Sequence, residues 1–186
     1  MEQLAHLWKE LITYFEGRLS VRFSTLLSTV SHRLRSIPLK MKPREIPTIS
    51  LVGEIFVRRE EFSRKNILDY LENRGFRVKV APVMEYLQYS NYVLNTGLTE
   101  QEFSLKTQLR LKIVTHAQEW WERRIKTILS QSGLYHFEMI EVSKTISGVT
   151  HLINENFRGE CILTVGLSMR EILEESCGVI SIGPFG

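Results

Sequence analysis

The spacing of apolar and polar residues predicts a helical segment at the start of the chain. Between residues 4 and 34 the large apolar residues recur at steps of one, three or four, as on one face of a helix. The stripe stays in phase across Gly17, so it fits one long helix or two. We favour a break there, because an interior glycine costs about 1 kcal/mol relative to alanine. Three prolines then predict an extended connection over residues 36–47.

Residues 47–82 predict a strand, a helix and a second strand. A β-branched apolar run ending at Gly53 is typical of a buried strand, and residues 76–80 are typical of another. Apolar residues at helical spacing lie between them and stop before Gly75. In such a βαβ unit the strands are parallel and the crossover is right-handed. Ligands of parallel sheets lie beyond the carboxyl ends of the strands, so residues 53–58 are the first candidates for chemistry.

The rest of the chain predicts helices and one more strand. Residues 178–183 form a short apolar run typical of a third strand. Residues 162–165 fit a helix better, but they also allow a fourth strand. The predicted fold is therefore α/β, with a parallel sheet of three or four strands flanked by helices after an N-terminal helical segment. The predicted helices start near Pro82, cover residues 105–129 and 160–175, and include shorter ones within 137–145 and near His151.

A row of three tyrosines at helical spacing follows Pro82, namely Tyr86, Tyr89 and Tyr92. Such a row is able to stack on a ligand or a base. More often it packs along the edge of a core with its hydroxyls in water, and we favour that interpretation.

Composition is ordinary for a globular protein, with 43% apolar and 24% charged residues among 186. A net charge of +3 predicts neither a nucleic-acid nor a membrane partner, and no apolar run approaches the roughly 20 residues of a membrane span. Residues 18–44 carry seven basic and no acidic residues, which is more often a solvated face than a phosphate site. With two cysteines and no signal peptide pattern, we expect a cytoplasmic protein.

We expect one α/β domain over residues 1–186, cut from a larger protein. Residues 1–46 would be a helical lead-in and linker, and residues 47–186 the α/β core. The sequence contains no phosphate-loop, dinucleotide, zinc-protease or serine-esterase motif. Glu54 follows a strand and is able to accept a proton, although capping a turn or pairing with Arg58 or Arg59 is the commoner role. Cys161 and Cys177 lie among apolar residues, which favours packing over reactivity.

Five short segments resemble the 2-hydroxyacyl-CoA dehydratase and benzoyl-CoA reductase family, particularly its long CoA-substrate-specific enzyme activase-related proteins. They keep their order and spacing along the chain, and they are residues 52–58 (VGEIFVR), 71–75 (LENRG), 81–86 (APVMEY), 159–166 (GECILTVG) and 178–186 (GVISIGPFG). The likeness covers residues 45–92 and 157–186, and the helices between are matched only by placement.

The resemblance implies a flavodoxin-like domain and, in complete members, a [4Fe-4S] cluster that passes an electron to a CoA thioester. In that family a cysteine ligand commonly follows the Pro-Phe-Gly turn, and neither Cys161 nor Cys177 matches its position. We therefore expect no cofactor, metal or independent catalysis in these residues alone, and no catalytic residue is identified. The expected partners are the remainder of the parent protein or a dehydratase subunit, and acyl-CoA.

The resemblance also predicts that the loop after Gly53 and the turn after residue 182 meet at one edge of the sheet, near the cluster or the acyl-CoA. Backbone donors there would receive a sulfide or phosphate oxygen, and glycine allows close approach. The competing hypothesis is a non-catalytic binding or subunit-assembly module on the same fold. The candidate ligand-edge residues are Gly53, Glu54, Phe56, Arg58, Gly183, Pro184, Phe185 and Gly186.

Overall fold

A computed structural model of the chain describes residues 2–17, 21–98, 104–157, 159–174 and 176–184. The helices are α1 Glu2–Phe15, α2 Phe23–Arg35, α3 Glu61–Arg64, α4 Ile67–Glu72, α5 Val83–Asn95, α6 Leu105–Ser130, α7 Val142–Ser147 and α8 Glu160–Glu174. The strands are β1 Thr48–Gly53, β2 Arg77–Val80 and β3 Gly178–Ile182.

The chain forms two compact units, each built from two stretches of sequence. One consists of Met1–Lys40 and His116–Met139, and the other of Met41–Thr115 and Ile140–Gly186. Each unit has a buried apolar cluster of its own. The sequence pattern gave no sign that the end of α6 groups with the N-terminal helices.

The first unit contains α1 and α2, which are separate helices as expected. Gly17 adopts a φ of 75°, a left-handed conformation that glycine tolerates better than other residues and that ends α1. The two helices pack through Leu7, Leu26 and Val30, which are all buried. In the same unit the Ser31 hydroxyl donates a hydrogen bond of 2.7 Å to the Ile128 carbonyl oxygen, which satisfies this buried donor.

The second unit is built on a sheet of three parallel strands in the order β2-β1-β3. The three strands lie where the sequence predicted them. β1 is the central strand, and Ser50 in its middle faces Lys79 of β2 and Val179 of β3 in register. The helix favoured for residues 160–175 is confirmed as α8, which excludes the alternative of a fourth strand at residues 162–165.

The connection from β1 to β2 contains two short helices in place of the one that was predicted. Lys65 separates α3 from α4 with a φ of 50°, which breaks the regular hydrogen bonding of a right-handed helix. Gly75 then adopts a φ of 83° and ends the connection, as expected. The polypeptide enters β2 two residues later, parallel to β1.

Helix α8 covers one face of the sheet and sets the shape of the core. Gly166 lies at its closest approach to α7, where an added Cβ would stand 2.8 Å from both Cγ2 and the carbonyl oxygen of Thr145. The core of the unit is formed by Val52, Ala81, Tyr89, Ile140, Val142, Ile146, Val149, Ile162, Leu163 and Leu167. The fold class predicted from the sequence, an α/β parallel sheet flanked by helices, is confirmed.

Two details of the predicted helices differ in the structure. The helix expected within residues 137–145 begins at Val142 and ends at Ser147, because residues 137–141 run as irregular backbone. The short helix expected near His151 is wrong, since residues 149–152 form turns. Among the described helices, none combines the length and the apolar character that crossing a membrane requires.

Candidate functional site

The carboxyl ends of β1 and β3 meet at a position that only glycine fits. The Glu54 backbone N–H donates a hydrogen bond of 2.9 Å to the Ile182 carbonyl oxygen. Gly53 has a φ of 113°, and a Cβ built there would stand 1.9 Å from the same oxygen. Any other side chain would therefore collide with the backbone of β3 and would also strain the left-handed conformation.

Residues 54–59, which we call the edge turn, leave β1 at this point and carry their own hydrogen bonds. The Glu54 carbonyl oxygen accepts a bond of 3.0 Å from the Arg58 backbone N–H. The Glu54 carboxylate accepts one of 2.7 Å from the Val57 N–H, so this side chain caps the turn. The role of turn cap was the commoner of the two that the sequence left open for Glu54.

Neighbouring elements hold the edge turn from three sides. From the start of α8, Glu160 Oε2 accepts a hydrogen bond of 2.9 Å from the Ile55 backbone N–H. At the end of β2, the Ala81 carbonyl oxygen accepts a bond of 2.8 Å from Arg59 Nη2. On β3, Ile182 accepts the bond from Glu54. The turn is therefore tied to the carboxyl end of every strand and to the first residue of α8.

A buried ion pair provides a further attachment, to the first turn of α5. Arg58 Nη1 lies 2.5 Å from Glu85 Oε1, and the two side chains are 1% and 0% exposed. Arg58 Nη2 also donates a long hydrogen bond of 3.5 Å to the Pro82 carbonyl oxygen. Glu85 Oε2 and Arg58 Nε are buried without a hydrogen-bond partner among the described residues. The pair thus buries two charges without satisfying all of their polar atoms.

Burial disfavours the ionised form of two carboxyl groups that contact the edge turn, Glu85 and Glu160. Burial raises the pKa of Glu85 to about 7, against the opposing effect of the Arg58 guanidinium. Burial also raises the pKa of Glu160, although the hydrogen bond from the Ile55 N–H opposes that rise. Two of the carboxyl groups that contact the turn therefore hold a proton more tightly than they would in water.

A second buried carboxyl group, Glu171 of α8, has a lowered pKa. Its Oε2 accepts a hydrogen bond of 2.6 Å from Ser50 Oγ, and its Oε1 lies 2.9 Å from Lys79 Nζ. Ser176 Oγ lies 2.6 Å from Ser50 Oγ and completes the cluster. Burial acts to raise the pKa of Glu171, but the hydrogen bonds from Ser50 and Lys79 outweigh it and hold the pKa below its ordinary value. Glu171 therefore remains ionised at neutral pH.

Tyr89 connects the tyrosine row to the same end of the sheet. Its side chain is buried in the core of the unit, whereas Tyr86 and Tyr92 are half-buried. Burial raises the pKa of the Tyr89 hydroxyl, and a hydrogen bond with the Gly159 backbone opposes the rise. The tyrosine row therefore packs along a core edge, as the sequence favoured, but the Tyr89 hydroxyl bonds the Gly159 backbone and not water.

The structure brings most of the predicted ligand-edge residues together. Gly53 and Glu54 contact the end of β3, and Gly183 and Pro184 follow that strand directly. The Phe56 side chain stands at the turn with 77% of its surface exposed. Arg58, in contrast, is buried against Glu85. Of the predicted residues, Phe185 and Gly186 lie outside the described part of the chain.

Sequence reasoning missed the roles of three carboxyl groups, the buried Glu85 and Glu171 and the half-buried Glu160. Glu85 precedes Tyr89 by four positions, so the two share the core-facing side of α5. A charged residue on a core-facing position is a signal of a buried pair, and it was readable in the sequence. Nothing comparable singles out Glu171, because its partners Ser50 and Lys79 come from distant elements.

The two cysteines do not form a metal site. Both are exposed, which shows that the prediction of buried packing residues was wrong. Cys161 lies in the first turn of α8, near the carboxyl edge of the sheet, whereas the Cys177 N–H bonds the Thr48 carbonyl oxygen at the opposite edge. Within the described ranges, no group of three His, Cys, Asp or Glu side chains is placed to hold a metal ion. These residues do not fit the four thiolates of a [4Fe-4S] cluster.

Comparison with protein-family models, with curated proteins and with solved structures finds no match to this chain. The family resemblance therefore stays a prediction from short motifs.

Proposed function

We propose that this chain is a flavodoxin-like domain of an acyl-CoA dehydratase-, reductase- or activase-related iron–sulfur protein. Its role is to contribute the carboxyl edge of its sheet to an acyl-CoA or cluster site, without catalysis of its own. The function belongs to the edge turn and the end of β3, where ligands of parallel sheets bind.

The observation that carries the proposal is the convergence of four separate motif segments on the edge turn. The motif segment of residues 52–58 contains the whole edge turn except its last residue, Arg59. Residues 81–86 supply Ala81 and Glu85, residues 159–166 supply Glu160, and residues 178–186 supply Ile182. Segments that are far apart in sequence but meet at one place are expected of a shared site.

The chemistry of this edge suits an anionic ligand better than a covalent reaction. Gly183, where an added Cβ would meet no heavy atom within 4 Å, leaves room for a phosphate or sulfide to approach the backbone after β3. Arg59 is an exposed cation on the turn, and Phe56 is an exposed aromatic ring suited to stacking on an adenine base. The ligands of a cluster would come from residues beyond those described, so no electron-transfer step is assigned to this chain.

Isothermal calorimetry with acetyl-CoA and with free CoA tests the proposal on the 186-residue protein. We expect binding of both, and we expect Phe56→Ala to weaken it about tenfold because a stacking contact is lost. Phe62→Ala is the matched control, since Phe62 is 87% exposed and lies in α3, beyond the edge turn. Absence of binding at millimolar CoA, or equal losses in the two variants, would count against the proposal.

The second candidate is a subunit-assembly module, and the first half of α6 favours it. Leu105, Leu109 and Ile113 recur every four residues on this helix, and 84%, 61% and 61% of their surfaces are exposed. An exposed apolar stripe of this kind is typical of a protein-binding helix. Sedimentation velocity with a purified 2-hydroxyacyl-CoA dehydratase tests it. A complex that Leu109→Asp abolishes, without any CoA binding, would favour assembly over the ligand edge.

A further inference from the structure

The first half of α6 turns its aliphatic side to solvent and its more polar side inward. The exposed side consists of three residues that recur every four positions, namely Leu105, Leu109 and Ile113. The opposite side is half-buried and carries two threonines and one leucine, namely Thr107, Leu111 and Thr115. A helix that faces only water has the reverse arrangement, so the aliphatic side is expected to meet another surface.

Positive charge borders this aliphatic side along its length. Residues 105–115 contain three basic residues, Lys106, Arg110 and Lys112, and no acidic residue. All three basic side chains are exposed. At about 3.6 residues per turn, Lys106 and Arg110 lie along one border of the aliphatic side and Lys112 along the other. The complementary surface is therefore apolar inside and negatively charged at its boundary.

We propose that the first half of α6 docks on the surface of an anionic lipid bilayer. The three aliphatic side chains enter the boundary between the headgroups and the acyl chains, and the basic side chains reach the lipid phosphates. Residues 105–115 extend about 16 Å at 1.5 Å per residue, about half of the roughly 30 Å hydrocarbon core. The helix therefore lies flat on the bilayer and does not cross it.

The residue types on this face favour lipid over protein. The centres of protein interfaces are rich in aromatic residues and methionine and depleted in lysine. Here the exposed apolar residues are all aliphatic, and two of the three bordering cations are lysines. Lysine suits a bilayer surface, because its stem lies along the apolar region while its ammonium group reaches the headgroups. A second copy of the chain fits poorly, since two faces with three positive charges each repel one another.

The charge and hydropathy of the whole chain gave no sign of this face. The expectation of no membrane partner came from a net charge of +3 and from the absence of a long apolar run. Neither property detects a short helix that lies flat, because its basic residues are balanced by acidic residues elsewhere in the chain. The proposal does not depend on CoA binding, since α6 and the edge turn share no residue.

Co-sedimentation of the 186-residue protein with lipid vesicles tests the proposal. Vesicles of equal parts phosphatidylcholine and phosphatidylglycerol are compared with vesicles of phosphatidylcholine alone. We expect binding to the mixed vesicles and at least about tenfold weaker binding to phosphatidylcholine, because each basic residue near an anionic surface contributes about fivefold. Added salt should weaken binding to the mixed vesicles. No binding to the mixed vesicles, or equal binding to both kinds, would overturn the proposal.

Two pairs of variants locate the binding surface. Leu109→Gln is expected to weaken binding to the mixed vesicles about tenfold, because glutamine keeps the helix but loses the contact with acyl chains. Leu152→Gln is its matched control, since Leu152 is 58% exposed against 61% for Leu109 and lies in a turn outside α6. Lys106→Gln should weaken binding about fivefold, and Lys65→Gln, at an exposed position between α3 and α4, should leave it unchanged. Equal losses within either pair would contradict the assignment to α6.

Sedimentation velocity without lipid detects the two other occupants of the same face. A second copy would appear as an oligomer of the wild-type protein that Leu109→Gln dissociates. A protein partner would appear as a complex with the purified dehydratase that the same variant abolishes. Either complex, in a protein that does not bind the mixed vesicles, would refute the bilayer as the occupant. Vesicle binding that Leu109→Gln and Lys106→Gln both weaken, with unchanged circular dichroism spectra, would support it.

Discussion

Single residues determine how closely the strands approach at the candidate site, and Gly53 is the clearest case. We expect Gly53→Ala to lower the free energy of unfolding by about 2–4 kcal/mol, because its Cβ collides with backbone and its φ is positive. Urea denaturation followed by circular dichroism measures the change.

Gly178→Ala is the control for Gly53→Ala, because a Cβ at Gly178 meets no heavy atom within 4 Å and its φ is not in the left-handed region. It lies on β3, paired with Ile49 of the same central strand. If the two alanine variants lost equal stability, the close approach of β1 and β3 at Gly53 would not be the cause.

Glu171 is the residue at which charge, not shape, supports the fold. Glu171→Gln is expected to lower the free energy of unfolding by about 1–3 kcal/mol at pH 7, because the ion pair with Lys79 is lost and the Ser50 hydrogen bond is weakened. Since the pKa of Glu171 is lowered on folding, its contribution is present above about pH 4.5 and is lost as the pH falls through its folded value. Urea titrations at several pH values measure the difference.

Glu174→Gln on the same helix separates burial from charge in that comparison. Glu174 pairs with Arg170, but more than half of its side chain is exposed. Because the Glu174 carboxylate is hydrated, we expect its pair with Arg170 to contribute about 0–1 kcal/mol, so this variant should differ little from wild type at pH 7. Equal effects of Glu171→Gln and Glu174→Gln would argue against the buried network.

At the scale of elements, the contact between α7 and α8 depends on Gly166. Alanine in place of a helical glycine usually stabilises a helix by about 1 kcal/mol. Here we expect Gly166→Ala to destabilise by about 1–3 kcal/mol, because its Cβ would stand 2.8 Å from the Thr145 backbone oxygen. Thermal unfolding measures the sign, and a stabilised Gly166→Ala would show that α7 yields easily.

The helices and strands also show how much of the structure could be predicted from the sequence. The three strands and the helices α5, α6 and α8 were predicted because long apolar runs and 3.6-residue periodicity depend only on local order. The division of the β1–β2 connection into two helices at Lys65 was not predicted, because a single residue with a positive φ does not change the spacing of the apolar residues. Within the site, Gly53 and Glu54 were found from their place after a strand. Glu171 was not, because its partners are more than 90 residues away in Ser50 and Lys79.

At the scale of the whole molecule, the two compact units differ in their secondary structure and in whether they contain the motif segments. The unit of Met1–Lys40 and His116–Met139 is helical and contains a small apolar cluster. The other unit holds the sheet, the edge turn and each of the motif segments that resemble the dehydratase family. The functional proposal therefore concerns the sheet unit alone, and the apolar stripe at the start of α6 gives the competing role of assembly.

The most direct test of the ligand edge is NMR mapping of the protein with acetyl-CoA. We expect the amide shifts to change at residues 53–59, at Ile182, and at Gly183 and Phe185, which flank Pro184. The amide shifts of Thr48, Arg77 and Cys177 at the opposite edge should stay unchanged. Changes confined to the opposite edge, or no change at millimolar acetyl-CoA, would contradict the assignment of the carboxyl edge as the binding site.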